Sequence, residues 1–135
     1  MDTKRQIALK KVLIQTDIMR MPDQIKSIDF GKEIQGECRY FSFSNYLSNA
    51  GILSLIIETT GQYAEILIRN SEDSDMGKLF LAEVKDLKLY RDIGQNDICI
   101  RVQLIMRIKN IYKSYMEVHI KNELIASGYL IHIKE

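Results

Sequence analysis

From Ile98 to Ile108 the chain alternates with period two. Ile98, Ile100, Val102, Leu104, Met106 and Ile108 fall on one side, and Arg101, Gln103 and Arg107 on the other, with Asp97 just before them. Successive side chains of a strand point to opposite faces, so this pattern predicts one long strand with one buried face. Lys109-Asn110 then reads as a turn, and Tyr112 to Ile120 as a second strand with Met116, Val118 and Ile120 on its apolar face. Lys121-Asn122-Glu123 reads as a hairpin turn in which Asn122 accepts a positive φ, and Leu124 to Ile133 returns as a third strand. Long strands joined by tight turns make an antiparallel meander.

Upstream, Lys78 to Tyr90 is a further strand whose alternation changes phase near Glu83 to Lys85, as at a bulge. Glu33 to Phe43 is extended, and Gln24 to Asp29 is a short strand paired with it through the Phe30-Gly31 turn. Residues 4–14 suit the start of a helical turn. The segment from about Ala50 to Arg69 has a different pattern. Its apolar residues, from Ile52 and Leu55 to Ile66, Leu67 and Ile68, cover most of a helical circumference, which predicts a buried helix. Ser48 or Asn49 can cap its start, and the polar run from Asn70 to Asp75 ends it.

Composition bounds the answer from outside. At 135 residues and 46% hydrophobic the chain suits one domain, 1–135, and its net charge of +1 excludes the basic excess of a nucleic-acid binder. No apolar run reaches membrane-spanning length and the N-terminal stretch lacks a signal-peptide core, so the expected location is cytoplasmic. Cys38 and Cys99 are too few and too isolated for a disulfide scaffold or a zinc site, and both read as small core residues. Neither His119 nor His132 stands at a metal-site spacing from a cysteine; both read as strand-face residues, and no metal is expected.

One sheet packed on one buried helix, in this element order, is an α+β architecture with the layout of the hotdog fold. The residues point the same way. Leu55-Ile56-Ile57-Glu58-Thr59-Thr60-Gly61-Gln62 resembles the start of the central helix in bacterial 3-hydroxyacyl-acyl-carrier-protein dehydratases, with an apolar triplet, a catalytic Glu and a Gln four positions on. Leu81 to Asp97 resembles, without gaps, the strand and turn that follow in that family, with Ala82, Arg91 and Asp97 matching outright. Met21 to Ile25, Gly31 to Ile34 and the closing hairpin from Tyr115 to Ile131 are similar as well.

The resemblance implies a hotdog domain that pairs into a dimer and binds or processes an acyl chain carried as a thioester. Such chemistry belongs to fatty acid, polyketide or specialised lipid synthesis. It implies Glu58 as the carboxyl that handles the departing 3-hydroxyl, with Gln62 one turn on to orient it. Backbone N–H groups near the helix start would hold the thioester carbonyl, which makes Ser48, Asn49 and Gly51 candidates for substrate contact, with Tyr46 beside them. Arg91 would suit an acidic carrier protein or a phosphopantetheine phosphate. No cofactor is implied beyond the phosphopantetheine of the substrate thioester.

The chain departs from the family at one point. The family's base is a His in a His-Phe-Pro-Gly loop before the helix, and no His occurs here before residue 119. Counting back from Glu58 puts Ser44 at that position, whereas aligning from the strand leaves Ser48, Asn49, Ala50 and Gly51 there. None of these is a base near neutral pH without an activating neighbour. Four outcomes stay open. The chain is a dehydratase subunit whose His comes from a heterodimer partner, or an acyl-binding subunit without catalysis. Alternatively, it is a hotdog thioesterase in which Glu58 activates water, as a single helix carboxylate does in some of that class. An unrelated α+β interaction module is the remaining possibility, so the residues alone do not decide whether this is an enzyme.

Overall fold

The computed structural model describes residues 24–39, 51–72 and 77–135. Two short strands come first, β1 (Gln24–Asp29) and β2 (Glu33–Cys38), joined by a turn in which Gly31 has φ +81°. The helix α1 (Ile52–Asn70) follows, and then β3 (Leu79–Leu89), β4 (Ile98–Ile108), β5 (Ile111–Ile120) and β6 (Glu123–Lys134). The strands form one antiparallel sheet in the order β1-β2-β4-β5-β6-β3. This is the expected hotdog arrangement, with one long helix laid on the inner face of the sheet. The proposed helical turn at 4–14, the extension of β2 to Phe43, and Ser44, Tyr46, Ser48 and Asn49 lie outside the described residues.

The core lies between α1 and the inner face. Leu55, Ile56, Tyr63, Ile66 and Leu67 of the helix pack with Ile34, Ile100, Val102, Met116, Val118 and Leu130 of the sheet, all of them buried. Tyr63 crosses to β2, where its O–H donates to the Glu37 carbonyl at 3.2 Å. The far end of α1 is clamped through Glu72, whose Oε1 accepts from Arg107 Nη2 at 2.8 Å and from the Tyr112 hydroxyl at 3.1 Å. On the outer face Glu33 ties β2 to β4. Its Oε1 accepts from Arg101 Nε at 2.9 Å and from Gln103 Nε2 at 3.0 Å.

The β5–β6 turn is as expected: Asn122 has φ +70° and Lys121 φ +48°, the paired left-handed residues of a tight hairpin. The irregularity in β3 is real and double, with register shifts between Leu81 and Glu83 and between Lys85 and Lys88. The reading of β4 needs correction. Its alternation holds from Ile98 to Val102 and then fails, because a register shift between Leu104 and Met106 changes the phase. Met106 and Ile108, expected in the core, are therefore 38% and 54% exposed. Cys99 also needs correction, since the same alternation that buries Ile98 and Ile100 turns it outward, half-buried, while Cys38 is in the core as expected.

The closeness of this packing predicts a clear stability effect. Ile66 is fully buried between α1 and the sheet. Replacing it by Ala removes apolar contacts and leaves a cavity, and the loss in unfolding free energy is expected to be roughly 2–5 kcal/mol, measurable by urea denaturation.

Candidate functional site

The helix start differs from the expected one. Gly51 is the N-cap residue, in an extended conformation (φ −67°, ψ 159°), and no side chain among the described residues caps the helix. Its carbonyl accepts the Leu55 N–H at 3.1 Å, so the helix is entered at Ile52 rather than at Ala50. Gly51 is exposed, with nothing within 4 Å of where a Cβ would lie, and Ser48 and Asn49, the expected caps, lie outside the described residues.

The helix is also less uniformly apolar than its composition suggests. Leu53 and Ser54 are exposed and Ile57 and Glu58 half-buried, while every residue from Thr59 to Ile68 is buried. Thr59 and Thr60 direct their hydroxyls back to the carbonyls of Leu55 and Ile56, both at 2.7 Å, which satisfies them within the helix. Glu58, Gln62, Glu65 and Arg69 follow one another at spacings of four, three and four residues, which places them along one side of the helix.

Two hydrogen bonds order this polar stripe. Gln62 Nε2 donates to Glu58 Oε1 at 3.2 Å. One turn further, Arg69 Nε donates to Glu65 Oε2 at 2.8 Å, with both side chains less than one-tenth exposed. An ion pair removed from water in this way must be matched closely, because either charge left alone would be costly. The stripe therefore grades from a half-exposed carboxylate at Glu58 to a fully buried pair.

His132 belongs beside this stripe. It lies on the inner face of β6, opposite Tyr112 of β5, and is 2% exposed. Its ring lies against the backbone of Gly61, and Nδ1 has no hydrogen-bond partner among the described residues. Burial holds its pKa at about 4; the Gly61 backbone opposes that shift and the Arg69 charge reinforces it. Gly61 has room for this arrangement, and β3 approaches it through Leu81 Cδ2, 3.5 Å from where a Cβ would stand. His119, by contrast, is on the outer face, 3.8 Å from Glu117. Neither histidine is placed to take a proton from a substrate at Glu58.

The remaining predicted residues separate. Arg91 stands just past β3 and is paired with Glu123 at the start of β6. The structure brings Glu58 and Gln62 together, leaves Gly51 at the helix entrance, and keeps Arg91 on an exposed turn. Glu65 and Arg69 were not singled out in the sequence, although their three- and four-residue spacing from Gln62 carries them; His132 is a strand-face residue as expected, on the inner face with Leu130. Among the described residues no group of three or more His, Cys, Asp or Glu is arranged to hold a metal ion, and no helix is long and apolar enough to cross a membrane.

No protein-family model matches the chain, and no curated protein matches it. Solved structures do resemble it. The dehydratase heterocomplex ApeI:P from Xenorhabdus doucetiae superposes with a TM-score of 0.73 at 10% identity, over 94% of this chain and 90% of that one. A homologue of HP0420 from Helicobacter felis gives 0.69 at 10% identity, over 99% and 91%. A candidate thioesterase from Syntrophus aciditrophicus gives 0.59 at 14% identity, over 83% and 82%. Likeness at such identity establishes the fold: this is a hotdog-fold protein, and its neighbours include dehydratase and thioesterase-type hotdog chains.

The burial of His132 has a consequence in solution. The unfolded chain takes up a proton near pH 6.5 that the folded protein refuses until about pH 4. Stability from this group is therefore complete above pH 6.5 and is lost as the pH falls from 6.5 to about 4. The loss amounts to roughly 3 kcal/mol. Urea denaturation across that window should show a steeper fall for the wild type than for His132→Phe.

Proposed function

We propose that this chain acts on or binds an acyl thioester at the N-terminal half of α1, with Glu58 as the carboxyl group that meets the acyl chain. Gln62 is its positioning residue. The observation that carries this reading is the 3.2 Å hydrogen bond from Gln62 to a half-exposed Glu58, inside the segment that resembles the dehydratase helix.

In a dehydration, a base removes the proton from the α-carbon and that C–H pair becomes the new C=C bond. The carboxylic acid gives its proton to the 3-hydroxyl, which leaves as water. Glu58 suits the second role. The first needs a base that the described residues do not present there, since His132 is buried against Gly61 and His119 faces outward. We therefore assign the base to a second hotdog subunit. The eleven-residue strand β3 ends the sheet of described strands, none of which pairs with its outer edge, and pairing along that edge would cover it. Leu81 and Leu89 of β3 and Leu53 of α1, more than one-third exposed, would gain cover from such a partner. The similarity to a dehydratase heterocomplex supports a heterodimer over a homodimer. The carrier is an acyl carrier protein or coenzyme A, and Arg91 would have to exchange Glu123 for the carrier's phosphate or carboxylates.

The second reading is a thioesterase, favoured by Glu58 having no histidine beside it and by the likeness to a candidate thioesterase. There Glu58 would take a proton from water, whose oxygen attacks the thioester carbonyl and releases a free acid and a thiol.

Intact-mass spectrometry of 3-hydroxyacyl thioesters, on carrier protein and on coenzyme A, separates these. The chain alone should leave the mass unchanged. With a His-bearing hotdog partner it should give loss of one water, slowed by about 100-fold or more in Glu58→Gln. Gln62→Ala should slow it less. Free acid from the chain alone would establish the thioesterase instead. Neither product nor thioester binding in any arm would refute both.

A further inference from the structure

Among the described residues four buried side-chain atoms have no hydrogen-bond partner: Arg69 Nη2, Glu72 Oε2, Ser114 Oγ and His132 Nδ1. Buried polar atoms are almost always paired, with protein or with ordered water, so each exception calls for a reason. These four are not scattered. Glu72, just past α1, is held by Arg107 and by the Tyr112 hydroxyl. Tyr112 is the cross-strand partner of His132, and Ser114 follows two residues on, buried on the same inner face. Arg69 stands three residues before Glu72, close enough for its charge to act on His132. All four atoms therefore belong to the layer between the last turns of α1 and the inner face of β5 and β6.

The neighbouring protein groups are already engaged. Arg69 Nε and Glu65 Oε2 are bonded to each other, and Arg107 and the Tyr112 hydroxyl both go to Glu72 Oε1 rather than to Oε2. Ser114 is flanked across the sheet by Leu104 and Leu130, whose side chains have no polar atom to offer it. The four atoms also differ in what they need. Arg69 Nη2 donates, Glu72 Oε2 accepts, the Ser114 hydroxyl does both, and His132 Nδ1 does either according to its tautomer. Charge adds a second constraint. Arg69 is balanced by Glu65 and Glu72 by Arg107, so the layer favours neither an anion nor a cation.

We propose that this layer is a hydrated site, in which ordered water bridges Arg69, Glu72, Ser114 and His132 beneath the end of α1. Water donates and accepts, is neutral, and typically makes about three hydrogen bonds to buried groups that lack other partners. It is small enough to lie beside the apolar cluster of Ile68, Leu79 and Tyr112 that fills the rest of the layer. The C-terminal half of α1 is then seated partly on solvent, unlike its middle, where Tyr63, Ile66 and Leu67 meet the sheet directly.

The test has two arms. An X-ray structure of the full chain, at a resolution where ordered water is visible, should show water density within hydrogen-bond distance of two or more of the four atoms at once. Urea denaturation of Ser114→Ala supplies the second arm. If water completes the Ser114 hydroxyl, the substitution removes a hydrogen bond that is made, and the unfolding midpoint falls. A hydroxyl buried with nothing bonded to it costs free energy instead, so in a dry interior the same substitution leaves the midpoint unchanged or raises it. The change takes away one oxygen atom, and circular dichroism checks that the variant is folded. The four atoms bonded to one another or to other side chains, with no density between them, would overturn the proposal. Density for an ion or a larger molecule in place of water does so too, as does a midpoint that fails to fall in Ser114→Ala. Neither arm reads thioester chemistry, so this site and the role proposed for Glu58 stand or fall separately.

Discussion

A helix of nineteen residues that is buried along most of its length must find partners for everything it carries, polar groups included. The apolar part of that demand is met by the inner face of the sheet, where Ile34, Val102, Met116 and Leu130 receive Ile56, Tyr63, Ile66 and Leu67. Much of the polar part is met within the helix, although Arg69 Nη2 has no hydrogen-bond partner among the described residues. Thr59 and Thr60 return to carbonyls one turn back, Gln62 reaches Glu58, and Arg69 reaches Glu65. Without these internal closures α1 would leave buried polar groups unpaired, each at a cost comparable to a good part of a domain's net stability. The sheet order, the clamp at Glu72 and the approach of β3 to Gly61 all serve the seating of that one helix.

The site inherits its asymmetry from the same demand. At the C-terminal half of α1 the stripe is sealed, and its charge is spent on the Glu65–Arg69 pair and the neutral His132 beside it. At the N-terminal half the helix enters through the exposed Gly51, and the stripe ends in a carboxylate open on one side. Glu58 is therefore half-buried and held by one neighbour, whereas Glu65, two turns deeper, is buried in an ion pair.

Much of this was legible in the sequence because it is local. Alternation marked the strands, Lys121-Asn122 marked the left-handed turn, and an apolar run too dense for a strand marked the helix. Glu58 and Gln62 were legible because a four-residue spacing survives in a short motif. Two readings failed. Cys99 was read by its neighbours' hydropathy instead of its parity with Arg101, and the change of phase in β4 depends on its pairing with β5. His132 shared parity with Leu130 and was thus on the inner face, yet only the position of α1 shows that its ring meets the Gly61 backbone.

The register shift in β4 has the widest consequence. Ile98, Ile100 and Val102 form one wall of the core, whereas Ile105, Met106 and Ile108, of equal hydropathy and only a few residues on, belong to the surface. Composition does not distinguish the two triplets; one extra residue does, by reversing odd and even. Interior and exterior are thus written into this strand as a count, and a single insertion or deletion there would exchange them without altering the chemical character of any side chain.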